Sequence, residues 1–301
     1  MGKIAFVFPG QGAQTPGMGR SLYETSPAAK AVFDLAGDEI RNLCFCANGD
    51  ALNDTKNTQP CLFTVGLAAA AALKESGIVP QAAAGFSLGE IPALTYAGVF
   101  TFSQGLDFVR FRGEVMGEAA KKNPGEMYAV LRLSGGEVAE ICREIKDAFP
   151  VNYNCPGQTV AAVSAAGAKA IVERVTAAGG KAIKLAVSGA FHSPFMDFAG
   201  EKITEYLKTV DLSAPAIPVY ANATAKVYGD AKTLIAKQVN SPVYWQKTIE
   251  NMVADGVDTF IETGEGRVLS GLIKKINPNV QVLNVSDADT LGGAVEELKN
   301  V

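Results

Sequence analysis

Ser87 stands in Gly85-Phe86-Ser87-Leu88-Gly89, and His192 is the one histidine among 301 residues. A serine with a glycine two residues away on either side fits a sharp strand-to-helix elbow, where small residues let the chain turn tightly and present the hydroxyl outward. That hydroxyl is a weak nucleophile at its own pKa and needs a neighbouring base, most often an imidazole. If Ser87 does nucleophilic chemistry, His192 is therefore its partner. Arg112 is the next candidate. It falls in a helical stretch on the face of Met116, among Phe108, Phe111 and Val115, so its cation is expected in apolar surroundings. The glycine-rich run from Gly10 to Gly19 fits neither nucleotide reading. Thr15 and Pro16 stand where a dinucleotide fingerprint needs a small residue, and Met18 stands where a P-loop needs lysine.

Elements of two kinds must position these residues. Short β-branched or aromatic runs alternate with longer stretches of helical period, the pattern of an α/β fold with a mostly parallel sheet covered by helices. Strands are predicted over Lys3 to Phe8, Ala82 to Phe86, Ile217 to Ala221, Thr259 to Glu262 and Gln281 to Val285. Helices are predicted over Pro60 to Ser76, with Pro60 at the first position, and Ser103 to Lys121, with Ser103 as cap. Further helices are predicted over Pro194 to Thr209, Asp230 to Asn240, Trp245 to Asp255, Arg267 to Ile276 and Leu291 to Lys299.

The middle third changes rhythm. Met127 to Leu133, Val151 to Asn154, Thr159 to Ser164 and Lys181 to Val187 read as strands, with helices over Gly136 to Phe149 and Ala168 to Ala178. The order βαββαβ is that of a ferredoxin-like unit. Residues 126–188 are thus expected as an inserted subdomain, with 1–125 and 189–301 forming the larger one. Ser87 and His192 straddle the insertion, and a cleft between subdomains is the natural site.

Composition narrows the class. A chain 48% hydrophobic with net charge −4 is globular and a poor match for nucleic acid, which needs clustered Lys and Arg. Five cysteines without Cys-x-x-Cys spacing suggest neither a disulfide framework nor a metal site. Neither a secretory signal nor a membrane-length apolar run is read, so a cytoplasmic location and no membrane partner are expected.

Six motifs in order along the chain resemble malonyl-CoA:acyl carrier protein transacylase. They are Gly10-Gln11-Gly12; Gly85 to Glu90; Arg112-Gly113 with Met116; Asn154-Cys155-Pro156-Gly157-Gln158; Gly189 to Pro194; and Gly264 to Leu269. The resemblance implies a hydrolase-like α/β body with a ferredoxin-like insertion, and a ping-pong acyltransferase without cofactor or metal. By the same resemblance, Ser87 attacks the malonyl thioester and His192 takes its proton. Backbone amides of Gln11 and Leu88 hold the oxyanion, and Arg112 pairs with the free carboxylate of malonate, with Met116 beside it. Phe191 crowds methyl-branched acyl groups, Asn154 contacts substrate or shapes the cleft, and the main-chain carbonyl of Tyr244 orients the base. Glu90 is read as a partner of the helix dipole.

Phe86 departs from the family, where histidine usually precedes the nucleophile. Strand alternation turns it away from Ser87, so the chemistry is expected to survive. Partners are malonyl-CoA and an acidic carrier protein. Residues 127–187 hold seven Lys or Arg against five Asp or Glu, so the insertion is the basic part of an acidic chain. Lys181, Lys184, Arg267, Lys274 and Lys275 are the candidate dock. Two alternatives stay open: a serine esterase or thioesterase, and an inactive carrier-binding scaffold.

Overall fold

The computed structural model describes residues 2–47 and 49–299. Its strands are β1 Lys3–Phe8, β2 Ala82–Gly85, β3 Gly125–Leu131, β4 Ala148–Cys155, β5 Gln158–Ser164, β6 Lys181–Lys184, β7 Val219–Tyr220, β8 Val257–Thr263 and β9 Gln281–Val285. They form two sheets. One is parallel throughout, in the order β7-β2-β1-β8-β9; the other is antiparallel, in the order β4-β5-β3-β6.

β1 and β2 are central strands, and their sequences Ile-Ala-Phe-Val-Phe and Ala-Ala-Ala-Gly are buried on both faces, as helix-covered parallel strands require. A helix of 21 residues, Thr55–Glu75, packs on the sheet at β8, and a second of the same length, Phe102–Lys122, packs on the first. The first begins earlier than its sequence suggests. Asp54 caps it, accepting the Lys56 N–H, so Pro60 lies inside the helix and not at its start. The second is capped by Thr101 and Gln104 in a reciprocal box, not by Ser103. Four short helices between Arg20 and Asn53 have no counterpart in the sequence reading. Their segments are too brief for a clear period, and Phe33, Ile40 and Leu52 are buried by tertiary packing. The helix expected to run to Phe149 stops at Arg143, and β4 begins at Ala148.

The elbow is the tightest junction. Ser87 has φ 52°, a left-handed conformation that L residues avoid. Gly85 and Gly89 make it possible by proximity: a Cβ on Gly85 would lie 1.9 Å from the Gly89 carbonyl carbon, and one on Gly89 would lie 2.0 Å from the Phe8 oxygen. Gly89→Ala is therefore expected to destabilise the protein by about 2 to 3 kcal/mol, read from urea unfolding. Gly117→Ala, in a helix interior with open space around the added carbon, should instead stabilise by a few tenths to about 1 kcal/mol.

Candidate active site

β1, β2 and β7 end side by side, and a polar residue follows each within a few positions: Gln11, Ser87 and Asn222. The carboxyl end of a parallel sheet is where such folds open a crevice. Here a cleft of about 630 Å³ opens between that end and the face of the antiparallel sheet, which contributes Met127, Asn152, Asn154 and Val160.

Ser87 is pinned by its own backbone. Its N–H donates to Asn222 Oδ1 at 2.7 Å, and its carbonyl accepts from Gln238 Nε2 at 2.6 Å. Asn222 Nδ2 also donates to the Gly85 carbonyl at 2.6 Å, so one amide spans the turn. The strained φ of Ser87 is thus held from both sides. Its Oγ lies 2.7 Å from His192 Nε2, and His192 Nδ1 lies 2.9 Å from the Gln238 carbonyl. A main-chain acceptor at Nδ1 puts the proton there and leaves Nε2 to receive one from serine. Burial, and then the nearby Arg112 charge, hold the imidazole down to about 4, so it is neutral at physiological pH.

The acceptor at the imidazole is Gln238, not Tyr244. The Tyr244 carbonyl is taken by the Thr248 N–H at 2.8 Å, where helix Trp245–Ala254 begins, and its ring stacks on Tyr153 with centroids 5.2 Å apart. Helix geometry claims that carbonyl, whereas Gln238 ends helix Ala231–Gln238, where carbonyls lack partners within the helix.

Arg112 is 1% exposed and has no carboxylate within ion-pair distance among the described residues. Nη1 donates to Gln59 Oε1 and Nη2 to Gln238 Oε1, both at 2.9 Å, and Nη2 lies 3.3 Å from Ser87 Oγ. Its Nε is buried without a partner. Burying a guanidinium this way is costly and lowers its pKa to about 10, still well above neutrality. A cation held beside the nucleophile with its Nε–H and one Nη1 N–H unused suits a ligand that supplies oxygen acceptors.

The other predicted residues gather at the same cleft. Gln11 and Leu88 line it. Because Asn222 consumes the Ser87 N–H, the amides left to meet an oxyanion on that side begin with Leu88, in the first turn after the elbow. Met116 lies 4.0 Å by sulfur from Gln59 Nε2, and Phe191 is 8% exposed beside the base. Asn154, near the end of β4, is buried with its Oδ1 unpartnered. Phe86 packs edge-on against Trp245 at 5.6 Å while also bordering the cleft. Two of the proposed docking cations have partners of their own: Lys184 pairs with Glu126 at 2.6 Å, and Lys274 donates to the Val280 carbonyl at 2.7 Å.

Gln59, Asn222 and Gln238 escaped the sequence reading, since polar amides at no special spacing carry no motif. Only Asn222 left a signal, its place just past a predicted strand.

Residues 5–296 match the family described as the acyl transferase domain. The malonyl CoA-acyl carrier protein transacylase of Bacillus subtilis (strain 168) is 41% identical over 311 residues, covering 99% of this chain and 98% of that protein. The solved transacylase of that name from Clostridium perfringens superposes with a TM-score of 0.96 at 36% identity, covering 99% of this chain and 98% of that one. A type II PKS acyl-carrier protein in complex with its malonyl-transacylase matches at TM-score 0.94 and 34% identity, covering 98% of this chain and 99% of that one. Among the described residues, no helix is long and apolar enough to cross a membrane.

Proposed function

The chain belongs to the acyl transferase domain family, among the malonyl-CoA:acyl carrier protein transacylases, and from that premise we propose that it moves malonyl from malonyl-CoA to the phosphopantetheine thiol of acyl carrier protein through malonyl-Ser87. The role is supply of malonyl-carrier for fatty acid synthesis in the cytoplasm. The parallel-sheet body is hydrolase-like and spans 1–125 and 189–301. Residues 126–188 are the ferredoxin-like insertion, a reading supported by the strand order β4-β5-β3-β6.

The observation that carries the mechanism is the Ser87–His192–Gln238 chain beside a buried arginine. Ser87 Oγ gives its proton to His192 Nε2 as it attacks the thioester carbon. The Gln238 carbonyl steadies the imidazolium at Nδ1, and the Leu88 and Gln11 amides take the developing oxyanion. The C–S bond breaks, the proton passes from Nε2 to the leaving CoA sulfur, and malonyl remains on Ser87. The carrier thiol then surrenders its proton to His192, attacks, and the reverse sequence frees the serine. Arg112 receives the malonyl carboxylate on its unpartnered Nε–H and on the Nη2 N–H that Ser87 Oγ gives up. Phe191 and Met116 bound the acyl pocket, and Asn154 faces the substrate arm.

Intact-mass measurement tests the reading. Incubation with malonyl-CoA should add one malonyl group, absent in Ser87→Ala, that holo-carrier protein discharges faster than water does. Rapid hydrolysis without transfer would favour the esterase, and lack of any adduct the scaffold.

A further inference from the structure

Glu90 opens the elbow helix Glu90–Tyr96, yet it is 1% exposed and turned into the protein. One carboxylate oxygen accepts the Asn222 main-chain N–H at 2.5 Å, and the other accepts the Tyr228 hydroxyl. The Gln238 side chain also reaches it, while holding the Arg112 guanidinium on its amide oxygen. Arg112 and Glu90, both buried, thus attract each other across one glutamine without forming a direct ion pair. β1, β2 and the two long helices pack against the elbow helix, and of these elements only Phe102–Lys122, through Arg112, brings a charge to Glu90. Tyr228 is the other titratable group on it, and His192 senses Arg112 as well.

With the cleft empty, this pair leaves the buried site close to neutral. An acyl group that carries its own carboxylate to Arg112 adds a second buried anion. Two carboxylates beside one cation, away from water, do not both stay ionised. We propose that Glu90 is the resident counter-ion of Arg112 and yields that role to the carboxylate of the arriving acyl group, taking up a proton from solvent. This rests on the reading that Arg112 receives the malonyl carboxylate. Burial already pushes Glu90 up to about 7, so its carboxyl gives way near neutral pH. The protonated carboxyl can donate to the Tyr228 oxygen, which turns Tyr228 from donor to acceptor at Glu90, and the bond its buried O–H gives up is part of the cost of taking the proton.

Titration calorimetry in buffers of differing ionisation enthalpy tests this at pH 8, with malonyl-CoA and acetyl-CoA binding to the Ser87→Ala protein. Malonyl-CoA is expected to take up to about one proton more than acetyl-CoA, which has the same CoA moiety and no acyl carboxylate. The Kd of malonyl-CoA should rise by up to roughly tenfold per pH unit between 7 and 9. Adding Glu90→Gln, which keeps an acceptor for Asn222 and can donate to Tyr228, should remove both effects. Equal uptake for the two ligands, or uptake that survives Glu90→Gln, overturns the proposal. Should that variant fail to fold, the two-ligand comparison with Glu90 intact decides alone. A failure of the Arg112 reading looks different: malonyl-CoA would bind no more tightly than acetyl-CoA, Arg112→Ala would alter neither, and both ideas would fall together.

Discussion

His192→Ala is expected to lower malonyl transfer by on the order of 10⁴-fold and to leave no pH at which a second imidazole restores it. The size follows from the geometry. Nε2 is the group 2.7 Å from Ser87 Oγ that can take a proton, and Arg112, the charged group near that oxygen, remains protonated to about pH 10. As the chain has a single histidine, no neighbour can substitute. Added imidazole offers a further reading: partial rescue in His192→Ala but not in Ser87→Ala would assign the lost step to proton transfer. Single-turnover acylation followed by rapid quench and mass measurement separates the two half-reactions. Both should slow, because the same nitrogen serves CoA and the carrier thiol. A variant that still acylated at the wild-type rate would remove His192 from the mechanism.

Arg112→Ala should cost malonyl-CoA about 2 to 5 kcal/mol in kcat/KM, tens- to thousands-fold, while acetyl-CoA loses far less. The asymmetry is the informative part. Acetyl has no carboxylate to leave unpaired, whereas malonyl would bring one into a cleft stripped of its cation. The substitution also frees the Gln59 and Gln238 amide oxygens that now accept from the guanidinium, so some loss on acetyl-CoA is expected. Arg112→Lys should recover little, since an ammonium cannot offer the Nε–Nη2 edge. Equal losses on both acyl-CoAs would sink the carboxylate role and leave Arg112 a structural cation.

What the chain disclosed of itself was uneven for physical reasons. Ser87 and His192 were legible because each is singular, one by its flanking glycines and the other by being alone. β1 is legible because it is buried on both faces, and it falls on the residues that its apolar run assigns; β9, a half-buried edge strand, is legible from its bounded apolar run alone. Segments from 20 to 53 stayed silent, because short amphipathic helices take their stability from contacts the sequence does not announce. The sequence does not separate Gln238 from Tyr244 as the acceptor for a similar reason. Which carbonyl meets an imidazole depends on where a helix ends in space, and Gln238 is at such an end while Tyr244 starts another. The place of Glu90 in the chain suggests the first turn of a helix, and hence a partner of its dipole. Its burial, and its bonds to residues more than 130 positions away, could not be seen there.

The elbow is complete only when Asn222 and Gln238, 135 and 151 residues downstream of Ser87, have arrived to hold it. A chain growing on the ribosome carries its nucleophile out long before its base or its braces, and contacts of such separation close late. The serine of a half-made chain is thus an ordinary serine. Acylation by malonyl-CoA becomes a stringent assay of finished folding, and fragments that stop short of residue 238 should be inert toward the thioester however well their first strands have formed.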